Sequence, residues 1–248
     1  VNAPSPAILN ISAYRFVTLT DAQALQESIR SQASALTLKG TVLLAEEGIN
    51  LFLAGPADAV RSFVAWLKRD ERFAAIEPKE SWSDSVPFGK LLVKVKHEII
   101  RMNHPAIQPT SGRAPAVDAK TVARWLDAGR DNDGRPVVML DTRNAFEVKH
   151  GRFQGAIDWH IDKFSDFPQA ALAHRDDLAG KRIVSYCTGG IRCEKAAIFM
   201  AEAGIQNVVQ LDGGILKYFE EVGNVHFDGD CFVFDEREAL DASLAGQR

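Results

Sequence analysis

Cysteine is scarce in this sequence, and so are the patterns that usually employ it. Three cysteines, Cys187, Cys193 and Cys231, form an odd set with no C-x-x-C spacing. That excludes a disulfide scaffold and argues against a structural zinc site. No His-x-x-x-His pair accompanies them, and His150, His160, His174 and His226 stand apart from any matching carboxylate motif, so no metal site is expected. No flavin, haem or iron motif is visible either, and the sequence names no cofactor. No apolar run approaches the ~20 residues that span a bilayer, and the first residues lack a basic segment followed by an apolar core. A cytoplasmic protein with no membrane partner is the expectation. Internal repeats, heptads and low-complexity tracts are missing as well. What is present is an ordinary globular composition, 46% hydrophobic and 25% charged over 248 residues, enough for two domains of common size.

The net charge of −4 hides a local reversal. From Lys90 to Arg113, five basic residues (Lys90, Lys94, Lys96, Arg101 and Arg113) stand against one acidic residue, Glu98. Such a stretch makes a local basic surface suited to phosphate. Proline marks the boundary between domains: Pro105, Pro109 and Pro115 interrupt residues 101–116, which read as a basic linker.

Ahead of that linker, residues 1–100 alternate in a βαββαβ order. "YRFVTL" reads as a strand, "DAQALQESIRSQASALT" as a helix capped by Asp21, and "KGTVLLAEEGINLFLAG" as two strands turning near Glu47 and Gly48. A second helix follows from about Pro56, and "GKLLVKVKHEII" supplies the last strand. This order predicts an α+β, ferredoxin-like domain of four antiparallel strands with two helices on one face. Trp82, in the segment "ESWSDSVPFG", reads as a loop residue and is a candidate base-stacking side chain.

Over residues 117–225 the pattern changes. A helix capped by Asp118 precedes the buried-type strands "PVVMLD", "RIVSYC" and "NVVQLDG", each leading into polar turn residues and helical periodicity. This is α/β, a parallel sheet with helices on both faces. Ligands bind such sheets beyond the carboxyl ends of the strands, where Asp141, Cys187 and Asp212 fall. The tail, 226–248, is polar and is expected to fray at its end.

The stretch "YCTGGIRCEK" carries the chemistry. A cysteine between a strand and a helix faces the unpaired amides of the loop and first helical turn, and those amides favour its thiolate. Gly189 and Gly190 let the backbone curl, while Thr188 and Ile191 contribute amides. Arg192 adds a permanent positive charge at the mouth of this anion cradle. The alternative is an inert, buried cysteine on a turn. Asp141 and Arg143 are supporting residues at a neighbouring strand end, with Arg143 expected to pair with Glu147. Cys193 and Cys231 are expected to pack, Cys193 being also a candidate resolving thiol, and Asp212, Gly213 and Gly214 to form the turn opposite the loop.

The loop "CTGGIR", preceded by "LDTRNAFEVKHGRFQGAI" and followed by "VVQLDGGILKYF", resembles a single rhodanese domain across residues 117–225. With the preceding "LLAEEGINLFLAG" and the sequel "GDCFVFDER", nearly the whole chain resembles the rhodanese-domain tRNA uridine hydroxylase family. That resemblance implies oxygen-dependent conversion of the wobble uridine, position 34, to 5-hydroxyuridine. It makes Cys187 the required cysteine, molecular oxygen the co-substrate, and the tRNA anticodon stem-loop the partner. By analogy it also makes Lys90, Lys94, Lys96, Arg101 and Arg113 candidate RNA contacts. In rhodaneses the equivalent of Cys187 carries a persulfide or acts as nucleophile, so a thiosulfate-type sulfurtransferase is the alternative. Four residues separate Cys187 from Arg192, one fewer than in the related Cys-x5-Arg phosphatase loop, which favours sulfur-sized chemistry over phosphate.

Overall fold

The computed structural model describes residues 8–112 and 114–244, and the chain divides into two compact units. Of the described residues, one unit holds those up to Ile100 with Phe234–Glu238 and Leu244; the other holds those of Arg101–Val233 and Ala239–Ser243.

The first unit contains β1 (Ile8–Phe16), α1 (Ala22–Ala35), β2 (Lys39–Ala45), β3 (Gly48–Pro56), α2 (Ala57–Leu67), β4 (Lys79–Ser83) and β5 (Leu91–Val95). Side chains alternate across a strand, so Leu9, Ile11 and Ala13 of β1 and Ile49, Leu51 and Leu53 of β3 share one buried face. Ile29 of α1 and Val60 and Phe63 of α2 join the same core. The sheet has five strands in the order β4-β1-β3-β2-β5, not the four expected. β4 pairs antiparallel with β1, and β5 pairs parallel with β2 at the opposite edge.

Three other local expectations are corrected. The first strand begins at Ile8, ahead of "YRFVTL". Asp21 occupies the N-cap of α1 but makes no side-chain cap bond; its carboxylate instead accepts from Arg72 Nη1 at 2.6 Å and Nη2 at 3.2 Å. A charged, bidentate partner outcompetes a neutral amide for that carboxylate. Trp82 lies on strand β4 rather than in a loop, 40% exposed.

The second unit contains β6 (Ala116–Val117), α3 (Ala119–Ala128), β7 (Val137–Asp141), α4 (Ala145–Val148), β8 (Gly151–Phe153), β9 (Ile157–Asp158) and α5 (Phe167–Ala173). It continues with β10 (Arg182–Tyr186), α6 (Ile191–Glu202), β11 (Val208–Leu211), α7 (Gly214–Val222), β12 (Phe227–Gly229), β13 (Cys231–Phe232) and β14 (Ala239–Leu240). Its main sheet runs β6-β11-β10-β7-β9 with every neighbour parallel. Ile183, Val184, Ser185 and Tyr186 of central β10 are all buried. Successive side chains point to opposite faces, so both faces of this strand are covered. Helix α3 packs on α7, and α5 packs on α6. Asp118 caps α3, its Oδ1 accepting from Thr121 N at 2.8 Å.

The stretch read as a linker is built into this unit. Met102, Ile107 and Pro109 are buried, a 3-10 turn at Pro109–Ser111 packs on α6, and His104 meets Phe199 edge-on at 5.2 Å. Prolines stop helices here without freeing the chain, because apolar residues between them find a core. The tail is likewise ordered through its described residues. β12 pairs with β8, β13 pairs with β14, and in the first unit Arg237 Nη1 donates to Ser81 Oγ at 2.9 Å.

Candidate active site

Cys187 follows directly on β10, and its side chain is fully buried. The chain then turns through Gly190, whose φ of +99° marks the N-cap of α6 and suits a residue without a Cβ. This turn aims the Gly190 amide back at the sulfur, N to Sγ 3.1 Å. The loop is held from outside by the first turn of α7, where Ile215 N donates to Cys187 O at 2.9 Å and Leu216 N to Thr188 O at 3.1 Å. Gly214 makes that grip possible. A Cβ there would lie 2.4 Å from Cys187 O and 2.7 Å from Thr188 O. Gly214→Ala is therefore expected to push the loop out of register and raise the pH at which the Cys187 thiolate forms, because the Gly190 amide is drawn off the sulfur. Thiolate absorbance, read alongside a thermal melt, checks this.

Two buried ion pairs stand behind the loop. Asp141, Thr142 and Arg143 form a tight turn after β7, in which Arg143 N donates to Asp141 Oδ1 at 3.0 Å. That backbone bond brings the guanidinium onto the same carboxylate, at 2.9 and 2.6 Å, with a further bond to Gly151 O at 2.7 Å. Thr142 ties the turn to β10 through its amide and hydroxyl, which donate to Tyr186 O at 3.0 and 2.9 Å. Asp141 and Arg143 thus brace the strand end that carries Cys187.

The expected Arg143 to Glu147 pair is not formed. Glu147 lies in the first turn of α4, where its Oε2 accepts from Asn144 N at 3.0 Å. Both its oxygens grip Arg192, at 2.5 and 2.7 Å. Arg192 was expected at the mouth of the cradle, yet it is 4% exposed and committed to this carboxylate. Its charge reaches the sulfur through space instead of reaching out to a ligand.

Burial alone pushes the Cys187 thiol upward. The Cys193 thiol, the Arg192 charge and the amides of Arg192 and Gly190 oppose it and win, holding Cys187 well below an ordinary thiol. Cys193 is displaced the other way, raised by burial and by the charge on Cys187, and its Sγ lies 3.7 Å from Thr142 Oγ1. Cys231 is raised by burial to about 12. One thiolate and two protonated thiols are the result. Thiolate ultraviolet absorbance should accordingly survive to a pH well below ~8.5 in the native protein and vanish in Cys187→Ala. Because the folded value lies below the unfolded one, the stability this group contributes is complete above ~8.5 and is lost as pH falls through the lowered value.

Thr188 Oγ1 donates to Phe232 O at 3.5 Å, which brings β13 to the loop. Lys90, Lys94 and Lys96 are exposed at and beside β5 in the first unit. Arg101 is exposed in the second, its Nε donating to Asn103 Oδ1 at 2.9 Å, and Arg113 lies outside the described residues. Among the described residues, no group of three or more His, Cys, Asp or Glu could hold a metal ion, and no helix is long and apolar enough to cross a membrane.

Residues 8–99 match the UPF0176 acylphosphatase like domain and residues 122–221 the rhodanese-like domain. A Variovorax paradoxus protein named tRNA uridine(34) hydroxylase is 65% identical over 240 residues, 97% of this chain and 91% of its own length. The chain belongs to that family. Proteins of the same name from Bordetella petrii and Bordetella pertussis are 63% and 64% identical, each covering 97% of this chain and 95% and 99% of their own lengths. Within this hydroxylase-family fold, the residues that sequence reasoning passed over are Thr142, Glu147 as partner of Arg192, and the aromatic pair Phe146 and Phe232. The interval from Asp141 to Glu147 in "DTRNAFE" was the available signal.

Proposed function

We propose that this chain hydroxylates the wobble uridine, position 34, of tRNA to 5-hydroxyuridine in the cytoplasm, with Cys187 as nucleophile and molecular oxygen as co-substrate. The observation that carries this reading is a buried sulfur receiving an amide at 3.1 Å beside a permanent cation, in a chain alike over nearly its full length to proteins named for that reaction. Cys187 Sγ adds to C6 of the uracil ring, and the electron pair of the C5–C6 bond moves towards the C4 carbonyl. C5 becomes nucleophilic and takes one oxygen atom. Loss of the C5 proton and departure of Cys187 from C6 restore the ring. The second oxygen atom leaves as water, with two electrons from an external reductant and two protons. An unpaired base in the anticodon stem-loop suits such a recessed thiolate, because it enters the site without breaking a duplex.

Exposed Lys90, Lys94, Lys96 and Arg101, with Arg113, are the proposed phosphate contacts. The test is nucleoside mass spectrometry of tRNA from cells lacking this gene and every other route to 5-hydroxyuridine. Restoration of the base by the wild-type gene, in air but not without oxygen, supports the reading; no restoration contradicts it. The Gly190 amide on Sγ equally favours sulfur transfer. A Cys187 persulfide after thiosulfate treatment, with turnover onto a thiol and no tRNA product, would decide for that second reading.

A further inference from the structure

Beside the active loop stands an aromatic side chain that the chemistry above leaves unused. Phe146 is 43% exposed on α4, one residue before Glu147, which grips Arg192. Its ring meets Phe232 edge-on, centroids 5.1 Å apart and planes at 89°. Phe232 is in turn fixed to the loop, its carbonyl accepting from Thr188, the residue after Cys187. Lys149 and His150 are exposed in the turn that follows α4, and the His150 ring lies 5.1 Å from Phe232.

A large, exposed aromatic flanked by basic groups and anchored to a nucleophile's loop has the composition of a single-strand nucleic-acid platform. Buried phenylalanines need no such explanation; Phe146 is not buried. We infer that Phe146, backed by Phe232, is the wall on which the unpaired pyrimidine of the tRNA stacks as it is presented to Cys187, with Lys149 beside it for an adjoining phosphate. This inference rests on the tRNA reading above. An aromatic face holds any base, so the wall supplies retention, and discrimination is left to groups that meet the ring edge.

The experiment compares binding of two anticodon stem-loops, one with uridine and one abasic at position 34, to the full chain and to Phe146→Ala, Phe146→Leu and Phe146→Tyr. The wild type should prefer the uridine-bearing stem-loop by roughly 5- to 150-fold, the range for one stacked base. Phe146→Tyr should keep that preference. Phe146→Ala and Phe146→Leu should lose it while retaining a cooperative melt and the Cys187 thiolate absorbance. An unchanged preference in Phe146→Leu overturns the wall, since leucine fills the space against Phe232 without offering a ring face. Failure of the wild type to bind either stem-loop overturns the tRNA reading itself, and the wall with it.

Discussion

Cys187→Ser should abolish hydroxylation of an anticodon stem-loop, a loss of at least about a thousandfold in turnover, while leaving the fold in place. Serine is nearly isosteric, so the amide of Gly190 and the grip of Ile215 and Leu216 on the loop persist. The ionisation does not. The groups that draw the Cys187 thiol well below its ordinary range leave a hydroxyl protonated, and a protonated hydroxyl without an adjacent base is a weak nucleophile. Initial rates on the stem-loop, with a thermal melt of both proteins, check the separation of chemistry from folding.

Glu147→Ala carries the second large effect, a loss of about 3–5 kcal/mol in stability. The carboxylate is wholly buried, and its removal strands the Arg192 guanidinium, whose Nε already lacks a partner. The penalty comes from that stranded charge more than from the lost attraction. Glu147→Met with Arg192→Met should therefore be markedly more stable than Glu147→Ala alone, since no unpaired charge remains. The same double variant should raise the pH at which the Cys187 thiolate forms, because Arg192 is one of the groups that favour it. Urea denaturation reads the first effect and thiolate absorbance the second. A double variant as unstable as Glu147→Ala would contradict the stranded-charge account.

Three strands of the second unit, β7, β10 and β11, were legible because each is a short apolar run rich in β-branched residues and ending in a polar turn, whereas the two-residue edge strands β6 and β9 offer no such run. The loop was legible for the same local reason, with cysteine and glycines at a strand-to-helix junction. The ion pairs were not. Glu147 and Arg192 are 45 residues apart, and nothing local says that Glu147 will meet Arg192 and leave Asp141 to Arg143. Edge strand β4 escaped notice because "KESWS" buries only Ser81 fully and shows no apolar face. Residues 101–116 misled in another way: proline content reports a broken helix, whereas the packing of His104 and of the turn at Pro109–Ser111 depends on α6, some ninety residues further on.

The central claim is that the Cys187 sulfur attacks the wobble uridine. A stem-loop carrying 5-fluorouridine at position 34 has no C5 proton to lose, so once C5 has taken oxygen the adduct cannot release Cys187 by the route that restores the ring. Peptide mass spectrometry of the mixture should find this nucleotide joined to Cys187, and no adduct in Cys187→Ser. Attachment at any other residue, or full hydroxylation of ordinary stem-loop by Cys187→Ser, would contradict the account.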